Sequence, residues 1–309
     1  MCGRVQLTHS GEEIAEFFDV SSPAQLEFEA PRYNVAPGAR LPVLRLDDDG
    51  ERELSALRWG LVPAWAKDEK IGYRMINARS ETAAEKPSFR SAWKRRRCVV
   101  AASGFYEWWR RKPKARPERA YRFYPVDEPM FAFAGLWERW DRGDGAPLET
   151  CTILTRDAAP GLRPIHDRQP VLLSKDTLGT WLAPGDAPAL EVIAPADRTG
   201  VRVAVDEVST IVNDARNEDP ACIEASPPLG IAERLMKRRG WSDGFEDTAF
   251  GPEPRWCDPD SGQPGRLDPD DPALARTLIA EMDAASVDVT AIGGLPPVEV
   301  AEAWLTWRA

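Results

Sequence analysis

The fold class is decided by one stretch of the sequence, Val99-Val100-Ala101-Ala102-Ser103-Gly104-Phe105-Tyr106-Glu107-Trp108-Trp109. Aliphatic and aromatic residues in such a short run are typical of β-structure. Similar runs, bounded by Gly, Pro, Asp or Asn, are Leu41–Leu46, Tyr121–Pro125, Met130–Trp137, Cys151–Thr155 and Val201–Val205. Because no regular long helices separate them, the pattern predicts an α+β fold with a mostly antiparallel, barrel-like sheet rather than a doubly wound one.

Short helices are expected to flank this sheet. One helix is predicted over Glu12–Phe18, after Ser10, and another over Lys175–Trp181, where Ser174 is the expected N-cap. Two further short helices are predicted over Ser80–Glu85 and Phe89–Lys94.

The chain divides into two parts of different composition. Of its 309 residues, 43% are hydrophobic and 29% are charged, which is ordinary for a globular protein. The net charge is −10, but residues 227–309 alone hold 8 Lys/Arg against 15 Asp/Glu, together with 10 of the 28 prolines. We therefore predict a domain over 2–226, near neutral and able to present a basic groove, and an acidic Pro/Gly-rich extension over 227–309.

Within the extension, the density of Pro, Gly and Asp predicts a linker over Gly251–Pro272. Short helices are predicted over Pro272–Ala285 and Pro297–Trp307, each with a proline near its first turn.

Cysteine usage and hydropathy exclude several classes of protein. The apolar runs are far too short to span a bilayer, and no apolar segment follows a basic N-terminal start. The five cysteines lack CxxC spacing, which argues against both a disulfide framework and a zinc site. We expect a cytoplasmic protein that requires neither metal nor cofactor.

Cys2 is the first candidate for chemistry. Removal of Met1 would leave a terminal cysteine that carries a free amine beside its thiol, and the reference pKa of such an amine, about 7.7–8.0, leaves part of it neutral at neutral pH. The amine can condense with an aldehyde and the thiol can then close a thiazolidine ring, or the thiol alone can attack an acyl group. The alternative is a frayed terminus with an incidental cysteine.

Two acid–base candidates lie far apart in the sequence. Glu107 lies among aromatic residues, where desolvation would raise the pKa of its carboxyl group and suit acid–base catalysis; it can equally point to solvent. His166 lies in a polar loop between Arg and Asp neighbours, where a histidine is either a proton shuttle or a solvated surface residue.

Other segments carry residue types that suit nucleic-acid binding. In Asn77-Ala78-Arg79-Ser80-Glu81-Thr82, Arg79 suits bidentate phosphate recognition and Asn77 can fix a hydroxyl or carbonyl group. The same residues can instead form a capping and salt-bridge cluster. Trp59 and Trp65 lie in a Gly/Pro-containing loop and can either stack on unpaired bases or belong to the core.

Together these segments resemble the SOS-response-associated peptidase (SRAP) family. The matching blocks, in chain order, are Met1-Cys2-Gly3-Arg4, Arg32-Tyr33-Asn34-Val35-Ala36-Pro37-Gly38, Trp59-Gly60-Leu61-Val62-Pro63, Ile76-Asn77-Ala78-Arg79-Ser80-Glu81-Thr82, Arg97-Cys98, Gly104-Phe105-Tyr106-Glu107-Trp108, Ile165-His166-Asp167-Arg168-Gln169-Pro170, and later Val212-Asn213 with Arg216-Asn217. The resemblance spans residues 2–226.

This resemblance implies a β-rich domain, expected to be a monomer, with a narrow positive channel for single-stranded DNA that contains abasic sites. It implies that Cys2 crosslinks to the abasic sugar through a thiazolidine, that Asn77 and Glu107 flank it, and that His166 completes the site. The adduct would protect the strand during the DNA damage response. Abasic lyase activity and self-removal of Met1 are expected side reactions.

The resemblance also implies a DNA-binding surface. Arg4, Asn34 and Arg79 match positions that bind or orient the DNA or the abasic sugar, and Trp65 lies in a strand-wedging loop. Ala66 departs from relatives that carry a second aromatic residue there. In a bacterium, such a protein would associate with the nucleoid.

Two other function classes stay open. One is an N-terminal-nucleophile thiol hydrolase or peptidase, in which Cys2 attacks an acyl carbon and its own amine acts as the base. The other is a module that binds single-stranded DNA without covalent chemistry through Trp59, Trp65 and Arg79. A Cys2→Ala variant separates the second class, because it would leave non-covalent binding intact.

Overall fold

A computed structural model describes residues 2–20, 26, 30–110, 119–141, 143, 145–185 and 200–224 with their side chains, and 242–248, 251–257 and 264–265 as backbone only. The chain separates into two compact units, residues 1–225 and 226–309. The strands of the first unit are β1 (Val5–Leu7), β2 (Arg32–Val35), β3 (Arg40–Leu46), β4 (Arg52–Trp59), β5 (Asn77–Arg79), β6 (Arg97–Ala102), β7 (Gly104–Trp109), β8 (Arg119–Pro125), β9 (Phe131–Trp140), β10 (Leu148–Asp157), β11 (Arg168–Pro170), β12 (Leu172–Leu173) and β13 (Val203–Val208). Its helices are α1 (Gly11–Phe17), α2 (Ser80–Ala83), α3 (Arg90–Arg95) and α4 (Lys175–Leu182), with short 3-10 segments at Glu69–Arg74, Thr210–Asn213 and Pro220–Cys222.

A closed barrel of five strands forms the centre of this unit. Going round the barrel, β10 pairs with β4 in parallel, and the pairs β4–β3, β3–β6, β6–β9 and β9–β10 are antiparallel. Closure removes the exposed strand edges that an open sheet would present. The short strands β5, β11 and β12 attach to β10 and β9. The predicted α+β class with a mostly antiparallel, barrel-like sheet is confirmed.

A second sheet of five antiparallel strands has the order β13-β8-β7-β1-β2. It is connected to the barrel at the stretch Val99–Trp109, which forms two strands rather than one. The break falls at Ser103, whose N–H donates to the carbonyl of Gln6 at 2.9 Å. Gly104 permits this crossing, because a β-carbon there would lie 2.6 Å from the carbonyl oxygen of Phe123.

Strand β6 of the barrel is buried on both faces, which explains why its sequence lacks polar alternation. Along β6, Cys98 and Val100 belong to a core shared with the second sheet, whereas Val99 and Ala101 belong to a core shared with the helices. Every residue of β6 is buried. Strand β6 therefore separates two packed cores.

The predicted helices are confirmed with small changes of boundary. Ser10 caps α1 through a reciprocal pair of hydrogen bonds: its hydroxyl accepts the N–H of Glu13 at 3.2 Å, and Glu13 Oε2 accepts the N–H of Ser10 at 2.7 Å. Ser174 precedes α4 as predicted, but its hydroxyl lies 3.2 Å from Thr177 Oγ1 and makes no capping bond to the backbone.

In the second unit, a sheet has the order β14 (Ser242–Thr248), β15 (Gly251–Cys257) and β16 (Pro264–Gly265). Two of these strands lie where the sequence predicts a linker. The first half of β15, which contains Pro252 and Pro254, pairs only with β14 among the described residues, and a strand edge is where proline is tolerated in a sheet. The helices predicted over 272–285 and 297–307 lie outside the described residues. In the part of the chain that is described, no helix is long and apolar enough to cross a membrane.

Candidate functional site

The N-terminal segment enters the protein as a strand and carries Cys2 inside. β1 lies between β2 and β7, with Val5 opposite Phe105. Continued toward the N-terminus, this antiparallel register brings the first residues of the chain level with Glu107. The N–H of Tyr106 accordingly donates to the carbonyl of Arg4 at 3.0 Å. Cys2 is fully buried and its thiol forms no disulfide.

Asn77 fixes the main chain of Cys2 from the barrel side. It begins β5, which pairs in parallel with β10 so that Asn77 lies opposite Ile153. Its Nδ2 donates a hydrogen bond to the carbonyl oxygen of Cys2 at 2.6 Å. Asn77 Oδ1 is buried and accepts no hydrogen bond from the described residues, so it is an acceptor held at the site for another donor.

Glu107 supplies a carboxyl group to the same place. Its side chain is only 3% exposed, and this burial raises its pKa from the ordinary 4.5 to about 7. Burial also raises the pKa of the Cys2 thiol well above its usual range, and the negative charge of Glu107 raises it further. The thiol is therefore protonated in this environment, and the carboxyl group is near its midpoint at neutral pH.

His166 reaches the site from the turn between β10 and β11. Its Nε2 lies 3.9 Å from Oε2 of Glu107. Its Nδ1 accepts the N–H of Arg168 at 2.9 Å, which places the proton of the neutral ring on Nε2, toward the carboxyl group. Burial lowers the pKa of His166 below its ordinary 6.5. Asp167 Oδ1, 3.0 Å from Nδ1 on the exposed side, is available to the protonated ring.

The buried Arg168 fixes this turn, a role that the sequence motifs do not predict. Arg168 makes a bidentate pair with Glu81 on α2, at 2.7 and 2.9 Å, and donates to Asp157 Oδ1 at 2.5 Å and to the carbonyl of Thr155 at 2.6 Å. Because α2 follows β5 directly, this pair connects the strand of Asn77 to the turn of His166. Both partners belong to quoted motifs, but their mutual contact depends on the fold.

The structure thus brings together the four residues predicted to be catalytic, Cys2, Asn77, Glu107 and His166, from four separate segments. Within the ranges described with side chains, no group of three or more His, Cys, Asp or Glu is arranged to hold a metal ion. Paired proton-transfer groups beside a thiol and a fixed main-chain carbonyl suit covalent chemistry at residue 2.

Asn34, predicted to bind or orient the DNA or the abasic sugar, lies inside the protein beside Arg4. It is fully buried, its Oδ1 accepts from Arg4 Nη1 at 2.6 Å, and its Nδ2 donates to the carbonyls of Val212 and Asp214 at 3.2 and 2.9 Å. All its side-chain polar atoms are therefore used inside the protein. Arg4 is half-buried, with its guanidinium 5.7 Å from the ring centre of Trp108. Asn34 consequently positions Arg4 through this hydrogen bond.

The segment after β13 also fixes the strand of Asn34 and the ring of Trp108. The Glu218 carboxylate accepts the N–H groups of Tyr33 and Asn34 at 2.9 and 3.0 Å and pairs with Arg32. Asn213 Oδ1 accepts the indole N–H of Trp108 at 2.5 Å. Through these contacts, the motif around Val212 supports the N-terminal motifs that contain Arg4 and Asn34.

The two tryptophans predicted to stack on bases have opposite environments. Trp59 is only 1% exposed and its indole N–H donates to the carbonyl of Ile76 at 2.9 Å, so the prediction of a stacking role for it is wrong. It packs in the core that β4 shares with the second sheet. Trp65 is 59% exposed, and Arg79, at the end of β5, is also exposed.

Comparison with known protein families shows which family the chain belongs to. The sequence model of the family described as SOS response associated peptidase (SRAP) matches residues 1–215. The chain belongs to the SRAP family. This confirms the resemblance seen in the sequence motifs, and the matched region includes the four clustered residues.

Two relatives of this SRAP protein are named abasic site processing proteins, and two solved structures share its fold. It is 40% identical over 228 residues to the abasic site processing protein YoqW of Bacillus subtilis, covering 73% of this chain and 100% of YoqW. It is 34% identical to the abasic site processing protein HMCES of Xenopus tropicalis, covering 67% of this chain and 71% of that protein. A crystal structure of a Bacteroides thetaiotaomicron protein has the same fold, with a TM-score of 0.62, 24% identity and coverage of 73% and 100%. A Bordetella bronchiseptica protein gives a TM-score of 0.56 at 28% identity, with coverage of 67% and 100%.

Proposed function

We propose that this SRAP protein processes abasic sites in single-stranded DNA by forming a covalent adduct through Cys2. The observation that carries the proposal is the convergence of Asn77, Glu107 and His166 on a buried N-terminal cysteine. The names of the relatives YoqW and HMCES, both abasic site processing proteins, support the same substrate.

The chemistry requires a mature chain from which Met1 has been removed. The Cys2 amine then attacks C1′ of the open-chain sugar aldehyde, and loss of water leaves an imine. The Cys2 sulfur adds to the same carbon and its proton passes to the nitrogen, which closes a thiazolidine. Ring closure is intramolecular and is therefore favoured over hydrolysis of the imine. The closed ring lacks the electron sink that β-elimination of the 3′ phosphate needs, so the strand is protected.

Glu107 and His166 move the protons of these steps. A carboxyl group with a pKa of about 7 has both forms populated at neutral pH, so it can protonate the sugar ring oxygen on opening and accept a proton afterwards. The neutral His166 ring presents its Nε2 side to that carboxyl group. The Oδ1 of Asn77, which accepts no hydrogen bond from the described residues, would accept from the Cys2 amine or the thiazolidine N–H, while its Nδ2 holds the Cys2 carbonyl.

The exposed Arg79 and Trp65 are the residues best placed to contact the DNA strand. Arg79 lies two residues after Asn77 on β5 and offers a guanidinium to a phosphate. Trp65 offers a ring to a base or to a duplex end. The protein would act as a monomer in the cytoplasm, on the nucleoid in a bacterium, and would remove its own Met1 with the same polar groups.

The test is a denaturing gel, with intact mass, of purified protein mixed with an abasic single-stranded oligonucleotide. Wild type should lack Met1 and form a stable adduct with loss of one water, and Cys2→Ala should form none. Cys2→Ser keeps the amine without the thiol and should cleave the strand by β-elimination. Cys222→Ala, which removes another buried cysteine, is the matched control and should crosslink.

Two outcomes would contradict the proposal. One is a wild-type protein that has lost Met1 yet gives no adduct. The other is an adduct that maps to a residue other than Cys2. Trapping of Cys2 by an acylating probe without any response to abasic DNA would favour a thiol hydrolase instead.

A further inference from the structure

In the part of the domain described with side chains, two aromatic side chains are strongly exposed, and one of them, Tyr73, has no role in the proposed function. Among the residues described with side chains, the large hydrophobic residues that are exposed are Trp65 and Tyr73, both 59%, and Val126. Trp65 and Tyr73 lie on the same segment, which joins β4 to β5. An exposed aromatic residue that is held rigidly is a feature of binding surfaces.

The segment that carries Tyr73 is fixed by a close backbone approach. A β-carbon on Gly72 would lie 2.6 Å from the carbonyl oxygen of Gly60, and one on Gly60 would lie 2.8 Å from that of Gly72. The carbonyl of Met75 accepts the N–H of Leu61 at 3.1 Å, and the N–H of Met75 donates to Gly72 at 2.9 Å. Tyr73 is therefore displayed by an ordered turn.

The ring of Tyr73 is supported from the protein side. A β-carbon on Gly38 would lie 3.5 Å from its Cε1, and the guanidinium carbon of Arg58 lies 5.5 Å above the ring centre. The ring therefore packs on Gly38 and Arg58 from the protein side, while more than half of its surface stays open. The arrangement is a flat aromatic shelf with a cation behind it.

The charge around this shelf favours a polyanion. Arg40 and Arg58 lie directly opposite each other in the β3–β4 ladder, a like-charge pair that destabilises a sheet. Glu69 pairs with Arg58 at 3.3 Å, while Arg40 and Arg74 are exposed. An exposed ring with arginines on the same segment and on the strand behind it is the combination by which proteins bind single-stranded nucleic acid, stacking a base and neutralising phosphates.

The shelf lies close to the covalent site along the chain. Tyr73 precedes Asn77 by four residues, which limits their separation to about 14 Å, and Asn77 Nδ2 contacts the main chain of Cys2. A strand whose abasic sugar lies at Cys2 can therefore place a base a few nucleotides away over Tyr73.

We propose that Tyr73 is a stacking site for one unpaired nucleobase of the captured strand, at a fixed distance from the abasic sugar. This inference rests on the proposed function and deepens it. Because every base offers a π-face, the site selects an intact base in single-stranded form rather than a particular sequence. Clustered abasic lesions, which lack that base, would be captured more slowly.

The experiment scans one unreactive tetrahydrofuran spacer along an oligonucleotide that also contains the reactive abasic site. With wild type, one spacer position should slow adduct formation about tenfold, within the range of base–aromatic stacking. With Tyr73→Ala that position should lose its effect, because the stacking partner is already absent. Tyr73→Trp should restore the effect, and Val126→Ala, another exposed hydrophobic residue, is the matched control.

Fluorescence anisotropy with an undamaged single strand tests the shelf without the covalent step. Tyr73→Ala should weaken binding about tenfold, and Val126→Ala should leave it unchanged. A spacer effect that is equal in wild type and Tyr73→Ala, or equal anisotropy for both proteins, overturns the inference. Failure of wild type to crosslink would overturn the proposed function instead, and the anisotropy result would still decide on Tyr73.

Discussion

Nε2 of His166 lies 3.9 Å from Oε2 of Glu107, although Glu107 lies on the second sheet and His166 on a turn of the barrel sheet. Glu107 comes from β7 of the second sheet, and His166 comes from the turn before β11, which extends the barrel. Burial raises the pKa of the carboxyl group to about 7 and lowers that of the imidazole, so both changes favour a proton on Glu107 over a proton on His166. The site therefore depends on the contact between the two sheets.

Replacing Glu107 with Gln should stabilise the protein while it removes the acid–base function. The folded pKa of about 7 exceeds the ordinary 4.5, so the folded protein retains a proton that the unfolded chain releases, and stability falls as pH rises through that window. Above pH about 7 the full penalty is present, about 3 kcal/mol at most. Urea denaturation of wild type and Glu107→Gln should show a gain at pH 8 that is small at pH 5; an equal gain at both would contradict the assignment.

His166 should titrate below its ordinary pKa of 6.5 and carry its neutral proton on Nε2, since burial disfavours the charged ring and Nδ1 accepts the N–H of Arg168. Long-range proton–nitrogen NMR correlations report both properties. The chain has only two histidines, so His9→Gln leaves a single imidazole and completes the assignment. Observation of an Nδ1–H tautomer, or a midpoint above 6.5, would disprove the hydrogen-bond arrangement at this ring.

Loss of Arg168 should harm the protein more than loss of its partner Glu81. Loss of Arg168 leaves Glu81, Asp157 and the buried carbonyl of Thr155 without their donor, whereas loss of Glu81 leaves Arg168 its contacts with Asp157 and Thr155. We expect Arg168→Met to lower the free energy of unfolding by about 3 kcal/mol and Glu81→Gln by about 1 kcal/mol. Thermal and urea denaturation measure the difference. Equal losses would show that the pair with Glu81, rather than the contacts with Asp157 and Thr155, dominates.

Gly72→Ala should destabilise the turn that carries Tyr73. The new β-carbon would meet backbone and the Val62 side chain, 3.2 Å away, so the turn must shift, at a cost of about 1–3 kcal/mol. Gly179→Ala is the control: it is exposed within α4, has open space around it, and should stabilise the protein by about 0.5–1 kcal/mol. If Gly72→Ala were as neutral as a surface change, the close approach to Gly60 would not matter for stability.

Much of the local structure could be predicted from the sequence, because short-range interactions determine it. The reciprocal Ser10–Glu13 cap of α1 lies within four residues of chain, and the strand-forming runs need only their own composition. The grouping of Cys2 with Asn77 and Glu107 was predicted as well, but from the resemblance of whole motifs and not from the properties of any one residue.

Burial and long-range pairing were decided only by the tertiary structure. Trp59 and Trp65 lie in one loop motif, yet the first packs against β-strands from distant parts of the chain and the second does not. The side chain of Asn34 is hydrogen-bonded to Arg4 and to a main-chain carbonyl near the end of the domain. No local sequence pattern indicates these contacts. The pKa of Glu107 likewise depends on the water excluded by remote segments. Such properties arise from contacts between residues far apart in sequence, and these contacts form only when the barrel has closed.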